Sequence, residues 1–135
     1  MKIEVLVQGD PDIKPYTKIF HYEKSDELIF FESTQLIKKH LLSNMRLNVN
    51  QTLGLFFAYV INSLNEHKTI SEIQKHIPDM LLPHQVMIGV PESLRKLTFT
   101  ITTNNSESER MSITAPIRID QYFLMNGNRQ HRSSE

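Results

Sequence analysis

The pattern of hydrophobic and polar positions predicts β-strands at both ends of the chain. Residues 2–8 alternate between apolar and polar side chains, which is the period of a half-buried strand, and a second short extended segment is predicted at 16–22. Residues 97–103 alternate in the same way, and after a polar turn 110–114 returns as a strand. The sequence therefore predicts a C-terminal β-hairpin, to which the N-terminal strand can add.

The spacing of apolar residues in the middle of the chain predicts two long helices, at 26–42 and 50–65. Either Asn48 or Asn50 can cap the second helix. Gly54 lies inside that helix and is expected to allow close packing of another backbone. The apolar positions expected to form the buried faces are Leu28, Phe31, Leu36, Ile37, Leu41 and Leu42 on the first helix, and Leu53, Phe56, Phe57, Val60, Ile61 and Leu64 on the second.

Two shorter helices are predicted after the long pair. One begins at Thr69 and is stopped by Pro78. Another opens at Pro83 and is interrupted or ended by Gly89 and Pro91, after which a helical turn can resume at 92–95. Together with the hairpin, these elements predict an α+β fold with about four helices, two of them short.

Composition narrows the function more by exclusion than by any positive signal. At 135 residues and 15.8 kDa the chain suits one domain with one core. Fifteen basic and fifteen acidic residues give zero net charge, which does not indicate nucleic-acid binding. The absence of cysteine excludes disulfides and thiolate chemistry. The N-terminus is a poor signal peptide, and the longest apolar stretch, 53–61, is far below the ~20 residues that span a bilayer, so a cytoplasmic protein without membrane contact is expected.

The residues that could carry chemistry are not arranged in a known catalytic pattern. Three of the six histidines, His67, His76 and His84, fall on separate predicted elements, and no His-x3-His or His-Glu-x-x-His pair occurs. A Gly-x-Ser-x-Gly nucleophile elbow and a phosphate-binding glycine loop are also missing. We expect no catalytic residue, metal or cofactor on this chain.

Aromatic residues cluster on the two long helices, at Phe30, Phe31, Phe56, Phe57 and Tyr59. They could bind a ligand, but helix faces usually bury their aromatic side chains, so a role in the core is favoured. Phe30 and Tyr59 lie off the main apolar stripes, and we expect them at a second buried surface, namely a subunit interface.

The most informative motif is Gln85–Glu92, which reads Gln-Val-Met-Ile-Gly-Val-Pro-Glu. It resembles the Gln-Val-Met-x-Gly-Val-Pro-Glu signature of the urease gamma subunit, a small non-catalytic chain of bacterial ureases. A structural role is expected: Val86, Met87 and Val90 as apolar anchors, with Gly89 and Pro91 fixing a sharp backbone turn. Glu92 either caps backbone amides of the next turn or pairs across an interface.

The resemblance extends from about Glu23 to Ile117, in consistent order and spacing. Residues 45–48 are similar to the Leu-x-Leu-Asn stretch of the family, 67–73 to its Gly-Lys-Thr-Val-x-Glu-Leu segment, and 113–117 to its Val-His-Asp-Pro-Ile ending. Departures fall at loops: the segment before Lys68, the hairpin turn without glycine, and the Thr-Ala pair in place of His-Asp. The positions expected to form a structural or interface motif are Leu47, Asn48, Gln85, Val86, Met87, Gly89, Val90, Pro91 and Glu92.

This resemblance implies a urease-gamma-like domain at 23–117, between an N-terminal extension at 1–22 and a polar tail at 118–135. It implies a non-catalytic subunit of a trimer-based assembly with beta-like and alpha-like chains, in which the alpha-type chain holds nickel and hydrolyses urea. The alternative is a stand-alone interaction module, able to self-associate, with the same fold and no link to urea. The unmatched ends favour the module, and the retained motifs favour the subunit.

Overall fold

The two predicted strand regions form a single antiparallel sheet in a computed structural model that describes residues 1–103 and 105–118. The strand order is β2-β1-β3-β4, so β1 is a central strand that pairs along its length with β3. The predicted N-terminal strand and C-terminal hairpin are therefore confirmed. The strands are β1 (Lys2–Gln8), β2 (Tyr16–His21), β3 (Lys96–Thr102) and β4 (Ser108–Thr114).

The helices lie between β2 and β3 in the sequence, as expected for this α+β fold, and the fourth lies closer to the helical turn expected at 92–95 than to the helix expected from Pro83. The segment that begins at Pro83 forms only a 3-10 turn, because Val86 adopts an extended conformation and leaves the helical path. Helix α4 starts later, directly after Gly89. The helices are α1 (Glu27–Leu42), α2 (Val49–Asn65), α3 (Ile70–His76) and α4 (Val90–Ser93).

Helix α2 provides most of the helical side of the core. The ring of Phe57 lies 5.4 Å from that of Phe20 on β2 and 5.9 Å from that of Phe99 on β3. These contacts place α2 across the sheet. The apolar face of the helix covers the sheet, and both surfaces are removed from water. The predicted face is confirmed, since Leu53, Phe56, Phe57, Val60 and Ile61 are buried and Leu64 packs against them.

Helix α1 packs against the core with a face that includes only two of the six predicted positions, Ile37 and Leu41. Phe30, Ile37 and Leu41 pack against the core, together with the buried Thr34, whose hydroxyl donates to the Phe30 carbonyl at 2.9 Å. Apolar residues occur all around this helix, so their spacing did not identify the inner side. Four of the six predicted core positions on α1 are exposed instead: Leu28, Phe31, Leu36 and Leu42.

Phe30 and Tyr59 were expected at a subunit interface, but their main contacts are made within this chain. The Phe30 ring lies 5.8 Å from that of Phe20 and 5.3 Å from that of Tyr22. The Tyr59 ring stacks on His76 at 5.2 Å. Their position off the main stripes reflects packing against β2 and α3.

The end of the described chain is anchored near α3. Ile117 is buried in the core, and the Arg118 guanidinium lies 3.2 Å from the Asp79 carboxylate. The remainder of the predicted polar tail, 119–135, is outside the described residues. Among the residues that the structure describes, no helix has the length and apolarity needed to cross a membrane.

Candidate interaction surface

The signature segment is joined to the start of α2 by backbone pairing. Leu47 donates its N–H to the Gln85 carbonyl at 3.0 Å, and its carbonyl accepts from the Met87 N–H at 2.8 Å. The side chains of Leu47 and Val86 are both buried. The structure therefore brings together two segments, far apart in sequence, that were assigned to one motif.

Asn48 and Gln85 both hold local backbone in place. Asn48 Oδ1 accepts from the Gln51 N–H at 2.8 Å, and Gln51 Oε1 accepts from the Asn48 N–H at 2.9 Å, which makes a reciprocal cap for α2. Asn48, rather than Asn50, is the capping residue. Gln85 Oε1 accepts from the Leu82 N–H at 2.8 Å and closes the turn around Pro83. These two residues have structural roles that their side-chain contacts explain.

Gly89 sets the backbone path between the exposed and buried parts of the signature. Its φ of +91° lies in the left-handed region, which favours glycine, and it directly precedes α4. Val90 and Pro91 are buried on the far side of this turn. The predicted backbone role of Gly89 and the anchoring roles of Val86 and Val90 agree with this geometry.

Met87 does not serve as the predicted anchor, because it points outward together with Ile88. The exposed fraction is 45% for Met87 and 95% for Ile88. The segment is fixed at one end by the Leu47 pairing and at the other by buried Val90. We refer to Met87 and Ile88 as the exposed pair; such apolar side chains on a fixed backbone are typical of protein interfaces. Ile88 was missed because it occupies the variable position of the motif.

Glu92 contacts the turn between β1 and β2. Its carbonyl accepts from the Asp10 N–H at 2.8 Å, and the Asp10 carboxylate pairs with the Arg95 Nε at 2.6 Å. Within the described part of the chain, Glu92 Oε2 is buried and lacks a hydrogen-bond partner. A buried acceptor left unpaired costs about 1–3 kcal/mol, and the chain's own atoms already shield this oxygen from a partner.

Gly9 allows the β1–β2 turn to approach α4, and we expect Gly9→Ala to lower the free energy of unfolding by about 1–3 kcal/mol. A Cβ at this position would lie 2.8 Å from the Glu92 carbonyl oxygen and 3.0 Å from the Ser93 Cα, so backbone must move. Denaturant unfolding monitored by circular dichroism measures the change.

Gly54→Ala is the matched control for that substitution. A Cβ at Gly54 would meet only the Ile37 Cδ1 atom, at 3.4 Å, so the expected backbone approach is not present there. Alanine should be neutral or stabilise by up to about 1 kcal/mol through its higher helix propensity. Equal losses for the two variants would contradict a specific requirement for glycine at Gly9.

The outer surface of α1 is a second apolar region. Phe31 is 57% exposed, and the helix presents further large side chains to solvent. A series of this kind along one helix exceeds the scattered exposed residues of an ordinary surface and makes this face a candidate contact region. The exposed apolar residues of α1 are Leu28, Ile29, Phe31, Leu36 and Leu42.

The described residues form no metal centre. No group of three or more His, Asp or Glu side chains in 1–103 and 105–118 is close enough to hold a metal ion. His84 is exposed, as predicted, and His76 packs on Tyr59. Partial burial raises the pKa of the Tyr16 hydroxyl above its ordinary value by desolvation.

The known proteins to which this chain is similar are urease gamma subunits. A family model described as "Urease, gamma subunit" matches residues 19–117. A curated "Urease subunit gamma" from Halalkalibacterium halodurans is 28% identical over 79 residues, which cover 58% of this chain and 79% of that protein. The family match begins within β2, slightly before the boundary at Glu23 expected from the motifs, and leaves residues 1–18 outside it.

Proposed function

This chain belongs to the urease gamma-subunit family, and we propose that it is a non-catalytic structural subunit of a urea-hydrolysing nickel enzyme. The active site of that enzyme lies on another chain. In this proposal the alpha-type chain binds nickel and performs the chemistry, and a beta-type chain completes the assembly. This chain contributes protein surface, and it acts in the cytoplasm.

The exposed pair is the observation that supports this function most directly. Met87 and Ile88 lie within the family signature and project from a backbone segment that is fixed on both sides. Complete burial of one such side chain contributes about 1.5–3 kcal/mol to association. Because the segment is already ordered, little conformational entropy is lost when a partner covers it.

One further feature suits a subunit surface. The outer face of α1 supplies apolar area that association would remove from water. A binding surface of this composition resembles the apolar centre of subunit interfaces.

A stand-alone interaction module is the second candidate. The observation in its favour is the N-terminal hairpin, because residues 1–18 lie outside the family match and β1 is a central strand of the sheet. This addition covers an edge of β3 that a two-stranded hairpin would leave open. A chain altered in this way could have lost the family's partners while keeping its fold.

Co-purification tests the subunit proposal. The chain is co-expressed with beta-like and alpha-like urease chains from the same genome, and only the alpha-like chain carries an affinity tag. We expect this chain to be retained, and Ile88→Asp to weaken retention at least about tenfold, because a charge would be buried at an apolar contact.

Ile88→Leu is the control, since it keeps an apolar side chain and should be retained like the native chain. Leu42→Asp places the same charge at another exposed apolar residue, at the end of α1. It shows whether loss of retention is specific to the signature region. Failure to retain the native chain would contradict the subunit proposal and favour the module. Equal retention of Ile88→Asp would exclude the exposed pair from the interface.

A further inference from the structure

The two edges of the sheet are not equivalent. On the β4 side, Gln74 of α3 donates its Nε2–H to the Ser112 carbonyl at 2.7 Å, so a side chain occupies part of that edge. On the other side, β2 pairs only with β1 within the described residues. An open strand edge presents unpaired N–H and C=O groups, which can bind another strand.

The hydrogen bonds between β1 and β2 show which groups face outward. The Tyr22 N–H donates to the Met1 carbonyl at 2.9 Å, and the Met1 amino group donates to the Tyr22 carbonyl at 3.1 Å. In an antiparallel pair such hydrogen-bonded positions alternate along the strand. Residues two and four positions before Tyr22 therefore also face β1. The backbone groups directed away from β1 are those of Thr17, Ile19 and His21.

The features that usually protect an edge strand are weak at β2. The charged residue within the strand, Lys18, donates to Asn50 Oδ1 at 2.9 Å and so lies on the helical side of the sheet. Ile19, at the centre of the strand, is 55% exposed. Neither a proline nor an acidic residue occurs within β2.

Apolar surface continues from this edge onto α1. Ile29, which is mostly exposed, lines an open cavity of about 330 Å³ together with Phe20 and His21. A molecule that extends the sheet beyond β2 would lie directly beside this part of α1. The edge therefore combines backbone hydrogen-bonding groups with an adjacent apolar wall, a combination used in strand addition.

We propose that β2 pairs with β2 of a second copy of this chain, antiparallel about a two-fold axis at Ile19. The two four-stranded sheets then form one continuous sheet. Ile19 lies opposite Ile19 of the partner subunit, and Thr17 lies opposite His21 of the partner subunit. This register places Lys18 opposite the partner's Phe20, so no lysine faces another lysine in the strand. The same axis brings the two α1 helices together on the helical side of the continuous sheet.

A second copy suits this edge for reasons that are independent of any urease partner. The arrangement is isologous, as in most homodimers, and each outward N–H finds a carbonyl in the other copy. The net charge of zero provides no general repulsion between copies. Residues 1–18, which include all of β1 and the first half of β2, lie outside the family match, so the hairpin that supplies this edge is an addition of this chain.

Sedimentation equilibrium over a range of protein concentrations tests the dimer. We expect a mass of twice 15.8 kDa for the native chain and 15.8 kDa for Ile19→Pro. Proline at this position removes only an outward N–H, which a monomer tolerates on an edge strand. Circular dichroism checks that the fold is retained. Arg110→Pro makes the same backbone change on β4, at the other edge, and should remain dimeric.

A cysteine pair provides an independent measurement that does not require proline to be tolerated. The chain has no native cysteine, so Ile19→Cys can form a disulfide only with another copy. Under mild oxidation we expect covalent dimers from Ile19→Cys and few from Arg110→Cys. A monomeric native chain would overturn the proposal. A native dimer that is unaffected by Ile19→Pro, or that crosslinks equally at both positions, would also overturn it.

Discussion

Replacing Phe99 with alanine should lower the free energy of unfolding by about 3–5 kcal/mol. Phe99 lies on β3 between Val5 of β1 and Met111 of β4, and it is completely buried. Its ring packs edge-on against that of Phe57, with a 5.9 Å separation. Alanine would leave a cavity where sheet and helix meet, and close packing on both sides prevents it from collapsing.

Chemical denaturation of the native and variant chains measures this effect, with Phe31→Ala as the control. Phe31 loses the same side-chain atoms from an exposed position on α1, and its substitution should change stability by no more than about 0.5 kcal/mol. Similar losses for the two variants would show that Phe99 is not at the centre of the core.

Leu47→Ala should have the second-largest effect, a loss of about 2–5 kcal/mol. The Leu47 side chain is completely buried, and its backbone exchanges hydrogen bonds with the signature segment through Gln85 and Met87. A cavity at this position weakens the packing that keeps the two segments together. The loss should therefore appear both in global stability and in local opening of the signature.

Hydrogen exchange separates these two consequences. The Met87 N–H, which donates to the Leu47 carbonyl, should exchange faster in the variant even when conditions favour the folded state. Met45→Ala, at a half-exposed residue two positions earlier, is the control and should leave that exchange rate unchanged. Unchanged exchange at Met87 in Leu47→Ala would exclude a supporting role for the Leu47 side chain in the signature.

Sequence patterns predicted the elements best where one side of an element is clearly polar. The alternation in β3 correctly placed Leu97, Phe99 and Ile101 in the core, because the residues between them are threonines. The face of α2 was equally well defined. On α1 the pattern was ambiguous, since apolar residues such as Phe31 lie outside the inner face, and only packing against β2 selects Phe30.

The signature is recognisable from its residues, but only the folded structure shows which of its side chains are buried and which are exposed. Val86 and Met87 are neighbours of similar hydrophobicity, and burial of Val86 alone follows from its extended backbone and its pairing with Leu47. The proximity of Glu92 to Asp10 links residues far apart in sequence, and no local pattern could have indicated it.

The central position of β1 also has a consequence for the order of folding. Ile3 pairs with Ile101, so the sheet is completed only when segments from opposite ends of the described chain meet. Closing so large a loop is entropically costly, whereas the hydrogen bonds of α1 and α2 are local. We therefore expect the helical region to organise first and β1 to insert beside β3 late in folding.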